Sequence, residues 1–253
     1  MINNEVLAII CPAFVACLII ILTHAPLGIE VIKRGIIFID LAVAQIAGLG
    51  IIFTNIILNK PNIFITQIIA LSFAIIAGFI FRKIEISIPK QLEAIIGTAF
   101  IFSSSLAILL LANNPHGSKE MLDILSGEIL FITWKKIFYH APIYLFILSL
   151  WLLKPAVRKG LSFYLLFALA ITSSVQLVGV YVVFASLILP ALASLNYKNS
   201  YISAWIIGTI SIIVGILLSI CLDKPAGPIL VLSFVLVTIL CFLLKKIIPL
   251  NRI

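Results

Sequence analysis

The chain has 253 residues, 63% of them hydrophobic and 10% charged, with a mean hydropathy of +1.31. Soluble domains carry about 25% charged residues, so an ordinary soluble domain is excluded. Repeated apolar runs of about 20 residues match a bilayer core instead, and the expected class is an all-α, polytopic membrane helix bundle. The net charge of +8 does not call for nucleic acid. The cations sit in short connections between apolar runs, which is how a positive-inside bias looks.

Nine apolar runs follow in order, at about 6–22, 36–58, 62–81, 92–112, 134–153, 161–176, 178–195, 201–222 and 229–244. The sixth and seventh are nearly continuous across Gln176 to Gly179, so eight transmembrane helices are as acceptable as nine. No polar stretch is long enough for a separate soluble domain, and 1–253 reads as a single transmembrane domain. The start, with Asn3, Asn4 and Glu5, lacks a basic region and an A-x-A site, so the first run reads as a retained span.

Basic residues fall at every second connection: Lys33 and Arg34; Arg82, Lys83 and Lys90; Lys154, Arg158 and Lys159; Lys198; and Lys245, Lys246 and Arg252. The alternate connections hold 59–62, the long 113–133 loop, and 223–228. This pattern places the N-terminus outside and the C-terminus in the cytoplasm, with Lys135 and Lys136 as exceptions. Within the long loop, Lys119 to Leu125 is amphipathic. It fits either a plain connector or a helix at the interface that caps a pathway.

Residues 33–50, KRGIIFIDLAVAQIAGLG, carry one carboxylate, Asp40, and one amide, Gln45. A charge inside an apolar span costs about 2.5–3.5 kcal/mol on insertion scales and is a functional hypothesis by default. Counted from Lys33 along a continuous helix, Asp40 lies about 10 Å deep. It either faces a polar pathway or is a snorkelling or paired carboxylate near the membrane edge. Five residues separate it from Gln45, about 140° around a helix, so the two do not share a face.

Glu93, in PKQLEAIIG, is expected in the first turn of the fourth run, where the helix dipole favours an acid. Ser103, Ser104 and Ser105, with Thr172, Ser173, Ser174 and Gln176, are polar runs in apolar helices. Such runs mark interhelical hydrogen bonds or, less commonly, a hydrated pathway. His24, His116 and His140 share no ligand spacing, and His140 reads as a packed neutral side chain. Cys11, Cys17, Cys221 and Cys241 lie in or beside apolar runs without CxxC spacing and read as structural thiols. HExxH, GxSxG and GxxxxGK[ST] are all missing from the sequence. No enzyme reading follows, and any work against a gradient needs a partner or a coupled ion.

Four stretches together resemble the integral membrane permeases of ABC transporters for zinc, manganese and iron. They are APLGIEVIKRGIIFIDLAVAQIAGLG (25–50), LDILSGEILFITW (122–134), LVGVYVVFASLILPALAS (177–194) and DKPAGPILVL (223–232). The resemblance implies a metal-type importer permease fold and a homodimer with a pathway at its interface. It also implies two cytoplasmic ABC ATPase subunits, which use the ATP, and an outer-face metal-binding protein that delivers cargo. No cofactor is expected on this chain. Membrane lipid surrounds it, and the expected location is a bacterial cytoplasmic (inner) membrane.

Translocation residues expected on this basis are Asp40, Gln45, Glu93, Ser173 and Gln176, with Asp40 as the metal candidate. Arg82, Lys83, Lys154, Arg158 and Lys159 are expected to dock the ATPase. The sequence departs from the family pattern at two places. Relatives carry an Asp and a His four residues apart in the second span, where this chain has Leu41 and Gln45. Relatives also have a longer coupling segment where this chain has only KPAVRKG, 154–160. The reading is an importer subunit for zinc or manganese working by alternating access. An ion-coupled secondary carrier or a non-transporting scaffold is the alternative.

Overall fold

The first helix, α1 (Asn4–Arg34), passes through Pro12 and Pro26 without ending. An end near residue 22 was the expectation, since proline lacks the amide that would bond the carbonyl four residues back. Before Pro26 that carbonyl belongs to Leu22, and the indole Nε1 of Trp205 donates to it at 3.1 Å. A neighbouring helix thus satisfies the group that proline frees, as a span in lipid requires.

The computed structural model describes residues 4–58, 62–112 and 114–247. Residues 1–3, 59–61, 113 and 248–253, among them Asn3 and Arg252, lie outside the described residues. After α1 come α2 (Ile39–Leu58), α3 (Ile63–Ser87), α4 (Leu92–Leu111), α5 (Gly117–Ser126), α6 (Trp134–Leu153), α7 (Gly160–Val178), α8 (Val180–Ser194), α9 (Ser200–Leu222) and α10 (Ala226–Ile247). No strand occurs among the described residues. Among the described residues, eight helices are long and apolar enough to cross a membrane. α8 has 15 residues, about 22 Å of helix, against a bilayer core of about 30 Å. The eight-or-nine alternative therefore resolves into eight full spans and one short helix.

The break between α7 and α8 is Gly179, at φ 77°, and not the four-residue stretch from Gln176. A Cβ on Gly179 would lie 2.4 Å from the amide nitrogen of Gly127, itself at φ 68°. The two chain reversals therefore pack backbone against backbone, a contact open only to glycine. α3 extends to Ser87, so Arg82 and Lys83 are helical and do not lie in a loop.

Small residues build the close contacts. Ala42, Ala44, Ala47, Gly48 and Gly50 are buried on α2, and Ala70, Ala74, Ala77 and Gly78 on α3. A Cβ on Gly50 would lie 3.0 Å from the Ala70 Cα. Between membrane helices close van der Waals approach replaces the hydrophobic drive, and small residues permit it. α7 is the central helix, with Phe163, Phe167, Ala168, Ala170 and Ile171 fully buried. Large apolar side chains such as Ile68, Phe102, Leu109 and Leu145 point outward, as helices facing lipid tails do.

Candidate translocation site

Arg34, Arg82 and Arg158 gather at one end of the bundle, called here the basic end. At the opposite end lies a cavity of about 600 Å³ lined by Asn55, His116, Lys119, Glu120, Asp123, Glu128, Lys136 and Gln176, among others. α5 forms much of its wall. Glu120 and Asp123 are one turn apart and therefore share a face. The Glu120 carboxylate accepts from Asn55 Nδ2 at 2.9 Å and from Asn114 Nδ2 at 3.2 Å.

The other face of α5 carries Met121 and Leu125, which line a second cavity of about 370 Å³ with Leu41, Gln45, Phe100, Ser104, Tyr181 and Phe184. Gln45 is 3% exposed. Its amide and the Ser104 hydroxyl face walls that are otherwise mostly apolar. α5 thus stands between a charged vestibule and an apolar chamber. Its ends are seated by Gly117, where a Cβ would meet the Leu111 carbonyl at 2.3 Å, and by Gly127. The amphipathic piece expected at 119–125 is this helix, and it sits over a cavity.

A buried polar seam runs across α1, α6, α7 and α8. His24, fully buried, has Nδ1 2.8 Å from Ser186 Oγ and Nε2 2.9 Å from Ser174 Oγ. Tyr144 Oη lies 2.9 Å from the same Ser174 Oγ, and His140 Nδ1 lies 2.7 Å from Ser173 Oγ. In this seam the serines do what polar residues between membrane helices most often do, which is to bridge helices. His24 escapes sequence reasoning because Pro26 reads as the end of its helix.

The expected site residues do not converge on one point. Asp40 is on the first turn of α2 and not two turns deep, because Gly35, at φ 68°, breaks the path from Lys33. It is fully buried. Its Oδ1 accepts from the Leu41 amide at 2.9 Å, while Oδ2 has no partner. Glu93 occupies the first turn of α4, as expected, and its Oε1 accepts from the Phe38 amide at 3.1 Å. Its Oε2 is also buried without a partner. Two acids therefore flank the positive end of α2. Gln45 and Gln176 fall on different cavities, and the Gln176 Nε2 is buried without a partner. Among the described residues, no three His, Cys, Asp or Glu side chains cluster to hold a metal ion.

The expected docking residues divide in two. Arg82 pairs with Glu85, and Arg158 donates to the Trp151 carbonyl from Nε at 3.1 Å and Nη2 at 2.8 Å. Lys83, Lys154 and Lys159 remain exposed. KPAVRKG is short but not featureless, since Pro155–Arg158 forms one 3₁₀ turn.

Residues 6–157 and 155–245 match the ABC 3 transport family. The chain belongs to the ABC 3 transport family. It is therefore the membrane permease of an ABC transporter, a multi-pass subunit that is not itself an enzyme. Two solved structures have a similar fold. PsaBC from Streptococcus pneumoniae in complex with Fab is 20% identical over 92% of this chain and 91% of that chain, with a TM-score of 0.72. An inward-facing conformation of a metal-chelate type ABC transporter is 15% identical over 98% of this chain and 90% of that chain, with a TM-score of 0.71. At such identities the likeness is one of fold. No curated protein matches the chain in sequence.

Proposed function

We propose that this permease moves a divalent transition metal inward as part of an ATP-driven importer. Two copies would pair across the pathway, two cytoplasmic ATPase subunits would drive them, and an outer binding protein would deliver the cargo. The setting is a bacterial inner membrane, with the vestibule outside and the basic end and C-terminus in the cytoplasm.

The observation that carries this reading is the order of chemistry along the bundle. A vestibule holding Glu120, Asp123 and Glu128 lies on one side of α5 and the Gln45 chamber on the other. Carboxylates at a mouth concentrate cations, and amides and hydroxyls deeper in replace hydration without holding the ion fast. Oxygen donors with a single imidazole, His116, suit manganese better than zinc. α5 would separate outward-open from inward-open states. Asp40 and Glu93 would be carboxylates at the cytoplasmic end of α2, with Asp40 as the metal contact. A second copy related by a two-fold axis presents the same residues again. It would double Gln45 and Ser104 without adding a carboxylate to the chamber.

On the cytoplasmic side, Lys83, Lys154 and Lys159 would meet the ATPase, with Arg82 and Arg158 shaping the surface behind them. Co-expression with the ATPase encoded beside it tests the partnership. A stable complex that raises cellular manganese or zinc is expected, and a permease purifying alone under every condition contradicts it.

A further inference from the structure

Three arginines at the basic end are half-buried and bonded within the protein, and one of them joins four separate pieces of chain. Arg34 Nε donates to Glu30 Oε1 at 3.0 Å within α1, and Nη1 lies 3.7 Å from Glu85 Oε1 on α3. Its Nη2 donates to the backbone carbonyl of Arg158, in the turn between α6 and α7. Its Cζ stands 4.0 Å from the centroid of the Phe163 ring on α7. Glu85 is shared, since its other oxygen takes Arg82. Arg158 in turn is fastened to α6 through the Trp151 carbonyl.

The residue after Arg34 is Gly35, at φ 68° with open space where a Cβ would stand, and α2 begins four residues later. The start of α2 is also tied to α4, by the Phe38 amide donating to Glu93 Oε1. The corner between α1 and α2 is thus a glycine joint with one arm tied to the Pro155–Arg158 turn and the other to α4.

We infer that Arg34 is a positioning residue for energy coupling. It fastens the Pro155–Arg158 turn to the α1–α2 corner, so that displacement of the turn reaches the helix carrying Asp40 and Gln45. The guanidinium suits this task because its planar fork serves two carboxylates and a carbonyl while its face lies on an aromatic ring. A lysine ammonium is a point charge and cannot make that set of contacts. The exposed neighbours Lys154 and Lys159 leave the turn's outer side free for a partner, while its inner side is committed to Arg34. This inference rests on the ATPase partnership proposed above.

The test uses the assembled complex in proteoliposomes and compares wild type with Arg34→Lys for ATPase co-purification, ATP hydrolysis and metal moved per ATP. The expected result is normal assembly and hydrolysis with metal moved per ATP reduced about tenfold, the size of effect typical for residues on a coupling route. An assembled, hydrolysing Arg34→Lys complex with the wild-type ratio overturns the inference alone. A wild-type permease that binds no ATPase overturns the functional reading and this inference with it. If Arg34→Lys does not fold, Glu85→Gln keeps the shape and removes one strap, and the same ratio decides in the same way.

Discussion

His24 Nε2 lies 2.9 Å from Ser174 Oγ, joining α1 to the central helix α7 in the most buried part of the bundle. Because Ser174 also meets Tyr144 at 2.9 Å, one hydroxyl serves two long side chains. Ser174→Ala leaves both without that partner and is expected to cost about 1–2 kcal/mol, toward the upper end for hydrogen bonds between membrane helices. Thermal unfolding in detergent reads this directly. Ser105→Ala, at an exposed position on α4, is the matched control and should leave stability unchanged.

The bond from Trp205 to Leu22 exists because Pro26 frees that carbonyl. Trp205→Phe should cost about 1 kcal/mol in the native background. Restoring the amide with Pro26→Ala gives Leu22 an intrahelical donor, so Trp205→Phe should then cost much less. A double-mutant cycle measures this coupling. Additive effects would show that the indole acts by packing alone.

Gly28 sits where α1 meets α8, and a Cβ there would stand 1.9 Å from the Leu187 carbonyl oxygen. Gly28→Ala must push two backbones apart, and its yield of folded protein should fall sharply, with a destabilisation of about 2–3 kcal/mol in what survives. Gly97 on α4 has nothing within 4 Å of its Cβ position. Gly97→Ala should be neutral or stabilise by about 0.5–1 kcal/mol, from helix propensity. Size-exclusion yield and melting temperature separate the two.

Leu41 and Gln45 are one turn apart and line the same chamber. The double variant Leu41→Asp, Gln45→His places a carboxylate and an imidazole at i,i+4, a geometry that suits zinc. Calorimetry on purified protein should show zinc binding at least about tenfold tighter than wild type, since an amide is a poor zinc ligand. Unchanged zinc affinity would mean that the chamber is closed to ions in this state.

Much of the fold is legible in hydropathy alone. The spans corresponding to α2, α4, α6 and α9 fall within a few residues of their expected limits, because turn residues and charges bound each one in the sequence. The failures have local causes. Pro26 reads as a stop only when the donor on Trp205, 179 residues later, is out of view. The depth expected for Asp40 assumes a continuous helix, and Gly35 breaks it. The site is less legible than the fold. Glu120 and Asp123 could have been found as an i,i+3 acidic face opposite Met121 and Leu125, a pattern present in the amphipathic stretch. The placement of that face on a vestibule, and three of the four contacts of Arg34, come from segments distant in sequence.

This permease is expected to transport metal only when an ATPase drives it. Proteoliposomes containing the permease, its neighbouring ATPase and radioactive manganese or zinc measure this most directly. Uptake that requires ATP, and that Glu120→Gln with Asp123→Asn reduces, is the predicted result. Uptake of equal size without ATP, or by the permease alone and abolished by a protonophore, would contradict it.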